Sequence, residues 1–130
     1  MALPRILIVD DESQTRKMLN DHFSKRIECE IIEAANGYEA LEKLNAGQID
    51  FILLDIKMPG INGIEVMAKV RELSKELPIL VLSKLESEEM ENKVKSFGAD
   101  FVNKPFSLKV VYEKTVAKLK SCDKFFPKHA

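Results

Sequence analysis

Short, nearly unbroken apolar runs alternate along this chain with longer stretches in which apolar residues recur every three or four positions. Five runs read as strands: Arg5–Val9, Cys29–Ala34, Phe51–Leu54, Ile79–Leu82 behind Pro78, and Asp100–Val102. The intervening spacing predicts helices over about 13–25, 38–46, 63–74 and 87–96, and from Ser107 to about 120. Ser13 and Ser107 are N-cap candidates, Asn36-Gly37 is a turn into the second helix, and Gly98 is a natural stop for the fourth. Val66, Met67 and Val70 form one inward stripe, and Met90, Val94 and Phe97 another. The stripes are read as core contacts.

Runs such as Ile6–Val9 and Phe51–Leu54 lack polar alternation, as expected of strands covered by helices on both faces. Five βα units with right-handed crossovers then give a doubly wound, parallel α/β sheet. In such sheets ligands bind beyond the carboxyl ends of the strands. No repeat, linker or low-complexity segment interrupts the series, so the expected organisation is one domain over 1–121 and a tail over 122–130. The tail carries Phe125, Phe126 and Pro127, which either pack back on the domain or leave a frayed end.

Composition narrows the function classes. Of 130 residues, 45% are hydrophobic and 32% charged, the balance of a folded globular chain. A net charge of -1 gives no global field toward nucleic acid or membrane. Residues 104–130 are locally basic, with seven basic and two acidic side chains. This is the composition of a solvated helix face, or of a surface that steers an acidic partner. Cys29 and Cys122 have neither a CxxC nor a zinc spacing and are expected to be free thiols in a reducing cytoplasm. With no signal-peptide core and no run of membrane-spanning length, the expected location is cytoplasmic, with no membrane insertion and no direct nucleic-acid contact.

The polar residues at the strand ends carry the chemistry. Asp10 and Asp11 follow the first strand, Asp55 the third, Ser83 the fourth and Lys104 the fifth. An acidic doublet before a helix, or an aspartate before a Pro-Gly loop, is commonplace alone. Together, at one rim of a parallel sheet, these groups compose a reaction. Three crowded carboxylates repel one another unless a cation intervenes. An all-oxygen site favours Mg²⁺, or Mn²⁺. A carboxylate can attack a phosphoryl group, and positive charge around the equatorial oxygens assists it. Lys104 and the metal supply that charge, and the Ser83 hydroxyl can donate to a phosphoryl oxygen.

The ordered set Asp10-Asp11-Glu12, Asp55 through Gly63 with its Met58-Pro59 step, Ser83, and Gly98–Phe101 leading into Lys104-Pro105-Phe106 resembles the receiver domain of bacterial two-component signalling over roughly residues 4–120. The resemblance implies a flavodoxin-like (βα)5 sheet of strand order 2-1-3-4-5. It implies phosphoryl transfer to Asp55 from a sensor histidine kinase or histidine phosphotransfer protein. Asp10, Asp11, Asp55 and the backbone carbonyl of Lys57 would hold the metal, and Ser83 and Lys104 would grip the phosphoryl group. Phe101 would turn inward when Ser83 moves, and the Lys104–Pro105 bond would be cis. Such a protein is a signalling phosphoacceptor rather than an enzyme, and its output is a changed surface around helix four, strand five and helix five, read by a downstream protein that the sequence does not name. Basic helix five, with Lys109, Lys114, Lys118 and Lys120, is the expected partner surface.

Two positions depart from the pattern. Lys84 follows Ser83 where the family usually has a small residue, and the aromatic at 101 is phenylalanine, which has no hydroxyl to donate. Three other functions fit the sequence less well. A binding module of the same fold that ignores phosphate would not need the complete acceptor set. A phosphatase with an aspartyl intermediate would carry an acid two residues after the nucleophile, where this chain has Lys57. A flavin carrier would have a phosphate-cradling first loop, which here is acidic. His22 is assigned to the first helix and His129 to the tail, neither with a catalytic role.

Overall fold

The structure, a computed structural model, describes residues 2–128. His129 lies outside the described residues. The elements run β1 (Arg5–Val9), α1 (Ser13–Ser24), β2 (Glu30–Ala34), α2 (Gly37–Asn45), β3 (Phe51–Leu54), α3 (Gly63–Leu73), β4 (Ile79–Leu82), α4 (Glu88–Ser96), β5 (Asp100–Val102) and α5 (Leu108–Ser121). All strand pairs are parallel and the order is β2-β1-β3-β4-β5. β1 pairs with both β2 and β3, so the winding direction reverses there, which opens a crevice at its carboxyl end.

The missing alternation in β1, β3 and β4 has a simple cause. Leu7, Val9, Ile52, Leu54, Ile79 and Val81 face one buried cluster, with Ala40 and Leu44 of α2, Val66, Met67 and Val70 of α3, and Val94 of α4. Ile6, Ile8, Phe51, Leu53, Leu80 and Leu82 face the other, with Leu19 and Phe23 of α1 and Val111 and Leu119 of α5. Period two is present, but both phases are apolar because both faces are covered. Each such side chain contributes about 1.5–3 kcal/mol on burial. The edge strand β2 differs: Glu30 and Glu33 are exposed while Ala34 is buried.

Helix starts follow local chemistry. Asn36, Asn62, Ser87 and Ser107 accept from the backbone N–H of Glu39, Glu65, Met90 and Val110, a contact that stabilises a helix start by about 1 kcal/mol. Ser13 does not cap α1. The N-cap is Glu12, which makes no side-chain cap bond: Ser13 is already the first helical residue, the Arg16 N–H donates to the Glu12 carbonyl at 3.2 Å, and Asp10 Oδ1 accepts from the Glu12 N–H at 2.9 Å in the turn before it. Gly98 sits at φ 71°, the left-handed stop expected after α4. Met90 and Phe97 flank buried Val94 against the first cluster. Beyond α5 the chain turns back and residues 126–128 run antiparallel beside 26–28, so the described part of the tail, residues 122–128, packs back on the domain. Among the described residues no helix is long and apolar enough to cross a membrane.

Candidate phosphoacceptor site

Each predicted strand-end residue sits where its strand delivers it. The Asp10 N–H donates to the Ala34 carbonyl at 3.1 Å and the Asp55 N–H to the Val9 carbonyl at 2.9 Å, so the sheet ladder runs right up to the two aspartates. The Ser83 N–H continues the β4–β5 ladder to the Val102 carbonyl at 3.3 Å. Parallel pairing with little stagger therefore brings residues separated by almost the whole chain to one rim.

The carboxylates of Asp10, Asp11 and Asp55 each offer an oxygen within 4.8 Å of the others. Asp10 and Asp55 are buried, at 2% and 5% exposure, and Asp11 is open to solvent. Lys104 reaches in from the loop after β5. Its Nζ lies 2.9 Å from Asp10 Oδ2, 3.5 Å from Asp55 Oδ2 and 3.9 Å from Glu12 Oε1. The Ser83 hydroxyl donates to Asp55 Oδ1 at 3.0 Å, and the Lys57 backbone N–H reaches the same oxygen at 3.3 Å. The Lys104–Pro105 bond is cis.

One ammonium among three carboxylates leaves a net negative pocket. Burial pushes the Asp55 carboxyl above the ordinary aspartate range; Lys104 and the Ser83 bond pull it down, and neighbouring Asp10 pushes it further up. Burial works against the Lys104 ammonium, yet the Asp10 hydrogen bond and the charges of Asp10, Asp55 and Glu12 outweigh it and raise its pKa. A divalent cation would relieve the remaining repulsion, and an all-oxygen donor set with one solvent-facing side suits Mg²⁺. The residues present fit that ion.

Phe101 is half-buried against the cluster under α4, with Lys95 Nζ 5.8 Å from its ring centroid. Ser83 already points at Asp55 in this arrangement. His22 lies away from the rim, edge-on to Tyr112 of α5 with ring centroids 5.5 Å apart. Gly60 takes a positive φ of 81°, the turn expected of it. Gly63 is different: no unusual φ is involved, and glycine is required there by close backbone approach.

Several neighbours of the site gave no signal in the sequence. Arg16 of α1 donates from Nη1 to the Asp10 carbonyl at 2.7 Å and from Nε to Glu33 at 3.0 Å, which fixes the backbone of a site residue. Lys57 Nζ pairs with Glu86 Oε1 at 2.6 Å and links the loops after β3 and β4 above the site. Both contacts cross between elements, so no local spacing encodes them.

Known proteins resemble this chain in sequence and fold. The family model of the response regulator receiver domain matches residues 6–115. Sporulation initiation phosphotransferase F of Bacillus subtilis is 32% identical over 109 residues, 83% of this chain and 87% of that protein. The response regulator protein TrrA of Thermotoga maritima, solved in complex with Mg²⁺ and BeF, superposes with a TM-score of 0.78 at 36% identity, over 90% of this chain and all of that one. The CheX–CheY–BeF3–Mg²⁺ complex of Borrelia burgdorferi contains a chain matched at TM-score 0.79 and 31% identity, over 88% of this chain and 87% of that one. Other relatives are longer: the chain spans 48% of the transcriptional regulatory protein ResD of Bacillus subtilis and 36% and 31% of two protein-glutamate methylesterase/protein-glutamine glutaminases. With the family match running from the first strand into the last helix, this chain belongs to the response regulator receiver domain family.

Proposed function

We propose that the domain is a cytoplasmic phosphoacceptor switch of two-component signalling, charged at Asp55 by a sensor histidine kinase or a histidine phosphotransfer protein. The observation that carries this reading is the Asp55 carboxylate: buried, grouped with Asp10 and Asp11, and bracketed by the Ser83 hydroxyl at 3.0 Å and the Lys104 ammonium at 3.5 Å. An Asp55 oxygen forms the bond to phosphorus while the phosphorus–nitrogen bond of phosphohistidine breaks, and the imidazole leaves with the electron pair. Lys104 balances the charge on the transferred group, and Ser83 donates to one of its oxygens. Asp10, Asp11, Asp55 and the Lys57 carbonyl are the residues that would hold Mg²⁺, or Mn²⁺, which supplies further positive charge. The chain acts as substrate of this transfer and assists only its own phosphorylation and dephosphorylation.

Output by protein contact is the reading we adopt. The added phosphoryl group draws Ser83 and Lys104 to itself, Phe101 repacks, and the surface of α4, β5 and α5 changes. A swing from 1:99 to 99:1 takes about 5.5 kcal/mol, which a few charge-assisted hydrogen bonds of about 1.5–3 kcal/mol each supply. On α5, Lys109 lies 3.9 Å from Glu113, Lys114 is paired with Asp100 at 2.9 Å and Lys120 lies over the Phe125 ring, whereas Lys118 makes no ion pair among the described residues. We therefore take Lys118, and Lys109 with its long and exposed Glu113 pair, as the cations most open to a partner. The related CheY in its complex with CheX is an example of a receiver-like chain with a protein partner.

The decisive experiment is intact mass after incubation with Mg²⁺ and acetyl phosphate. One added phosphoryl group on the wild-type chain and none on Asp55→Asn is the expected result. No gain, or the same gain in the variant, overturns the assignment.

A further inference from the structure

α5 ends at Ser121, and the segment beyond it is built rather than loose. Asp123 adopts φ 56° and reverses the chain, and the Lys124 N–H donates to the Leu119 carbonyl at 2.8 Å, closing the helix end. The Glu28 N–H then donates to the Phe126 carbonyl at 2.7 Å, the Lys128 N–H donates to the Arg26 carbonyl at 2.8 Å, and Ile27 and Pro127 form the bridge between them. Phe125 packs on the cluster that holds Phe23, Ile27 and Phe51, beneath the Lys120 ammonium at 5.1 Å. Lys124 pairs with Asp50 ahead of β3, and Lys128 Nζ donates to the Ser24 carbonyl at 2.6 Å. Residues 122–128 thus touch the end of α1, the α1–β2 connection, the approach to β3 and α5 itself. The family match ends at residue 115, before any of them.

The opposite end of α5 is tied to chemistry. Its N-cap, Ser107, lies three residues beyond Lys104, and Lys104 holds Asp10 and Asp55. We infer that residues 122–128 are a clasp that pins the C-terminal end of α5 to the α1–β2 corner, so that a rearrangement at Lys104 tilts α5 about a fixed end instead of displacing it. The tilt rests on the phosphoacceptor reading; the pinning does not. It divides the output surface into a moving half, around Lys109 and Val110, and a static half, around Lys118.

Hydrogen exchange on the full chain tests both parts. The comparison is wild type, Phe125→Ala and Lys128→Pro, each with Mg²⁺ and with or without beryllofluoride. Lys128→Pro removes one backbone donor and one ammonium while leaving the packed Phe125 in place. Both variants are expected to raise exchange at 116–121 and 24–28 by about tenfold through local opening. In wild type, beryllofluoride is expected to change exchange at 108–112 and leave 116–121 unaltered. Unchanged exchange at 116–121 and 24–28 in both variants overturns the clasp. An equal change along the whole of α5 on adding beryllofluoride overturns the tilt. A wild-type chain that shows no response to beryllofluoride in the loop after β3 defeats the acceptor reading, and the clasp is then read from the fluoride-free comparison.

Discussion

A β-carbon placed on Gly63 would stand 2.5 Å from the carbonyl oxygen of Asp55 and 2.7 Å from the Cα of Ile56. Both neighbours are backbone, so neither can rotate away, and the Gly63 N–H donates to the Ile56 carbonyl at 2.9 Å across the same contact. The first residue of α3 is therefore seated directly on the segment that carries the Asp55 carboxylate. Gly63→Ala is expected to push that segment off its position, cost about 1–3 kcal/mol as an overpacking defect, and slow phosphoryl uptake from acetyl phosphate. Urea midpoints and the time course of mass gain read the two effects. A variant with the wild-type midpoint and rate would show that the contact has slack.

Lys104 is the cation that two buried carboxylates share, Asp10 at 2.9 Å and Asp55 at 3.5 Å. Lys104→Met removes it and leaves both acids facing each other. The loss is expected at about 1–3 kcal/mol near neutral pH, below the value for a fully buried pair because the lysine keeps some solvent contact. Mg²⁺ should recover most of that loss, since a divalent ion at Asp10, Asp11 and Asp55 answers the same repulsion. Saturating metal at a hundredfold over Kd stabilises by about 2.7 kcal/mol. Asp11→Asn, at the exposed corner of the group, should blunt the response in either background. Equal urea midpoints with and without Mg²⁺ in Lys104→Met would count against a metal at these carboxylates.

Much of this was legible in the sequence because the relevant signals are short-range. Unbroken runs such as Phe51–Leu54 mark buried strands whatever their partners, and each of Asp10, Asp55, Ser83 and Lys104 is placed at its strand's end by adjacency alone. Convergence at one rim then results from parallel pairing. What eluded the sequence depends on distance through space. Arg16 meets the Asp10 carbonyl and Lys57 meets Glu86 only after α1 and the two loops have docked. Serine before a helix is usually a cap, yet here the helix begins one residue earlier, so Ser13 is its first helical residue and the Arg16 N–H donates to the Glu12 carbonyl instead. The need for glycine at position 63 is a matter of interatomic clearance, and no residue pattern near it records that clearance.

Cys29 and Cys122 are both free, but their surroundings differ. Cys29 is half-buried beside the tail, and burial raises its thiol pKa to about 11; Glu28 adds to the rise and Lys128 opposes it. The raised value means that the folded chain favours the protonated thiol. The associated stability is complete below the unfolded thiol value of about 9 and is lost as pH climbs through about 11. Iodoacetamide at pH 8 is expected to label exposed Cys122 at least about tenfold faster than Cys29, since the thiolate is the reactive form and access limits the rest. Peptide mapping of a labelling time course decides it. Matching rates at the two cysteines would mean that the cover over Cys29 opens freely.

Lys84 occupies the position beside Ser83, and its exposed side chain borders two openings, one lined by Ser83 and the other by Lys104. One is a recess of about 160 Å³ shared with Lys57, Glu86 and Met90; the other, of about 400 Å³, is shared with Glu12, Lys104 and Phe106. Water that hydrolyses an acyl phosphate on Asp55 would have to approach near Ser83, and a long flexible cation there would crowd that approach and offer positive charge to the phosphoryl oxygens. Truncation in Lys84→Ala is expected to shorten the half-life of the phosphorylated chain by about threefold, a barrier change below about 1 kcal/mol. Because the side chain is solvent-exposed and makes no ion pair among the described residues, the urea midpoint should stay put, which separates shielding from a general loss of stability. The measurement is decay of the phosphorylated mass after donor removal. An unchanged or longer half-life would mean that the loop after β4 protects the acyl phosphate through its backbone, with Lys84 a bystander.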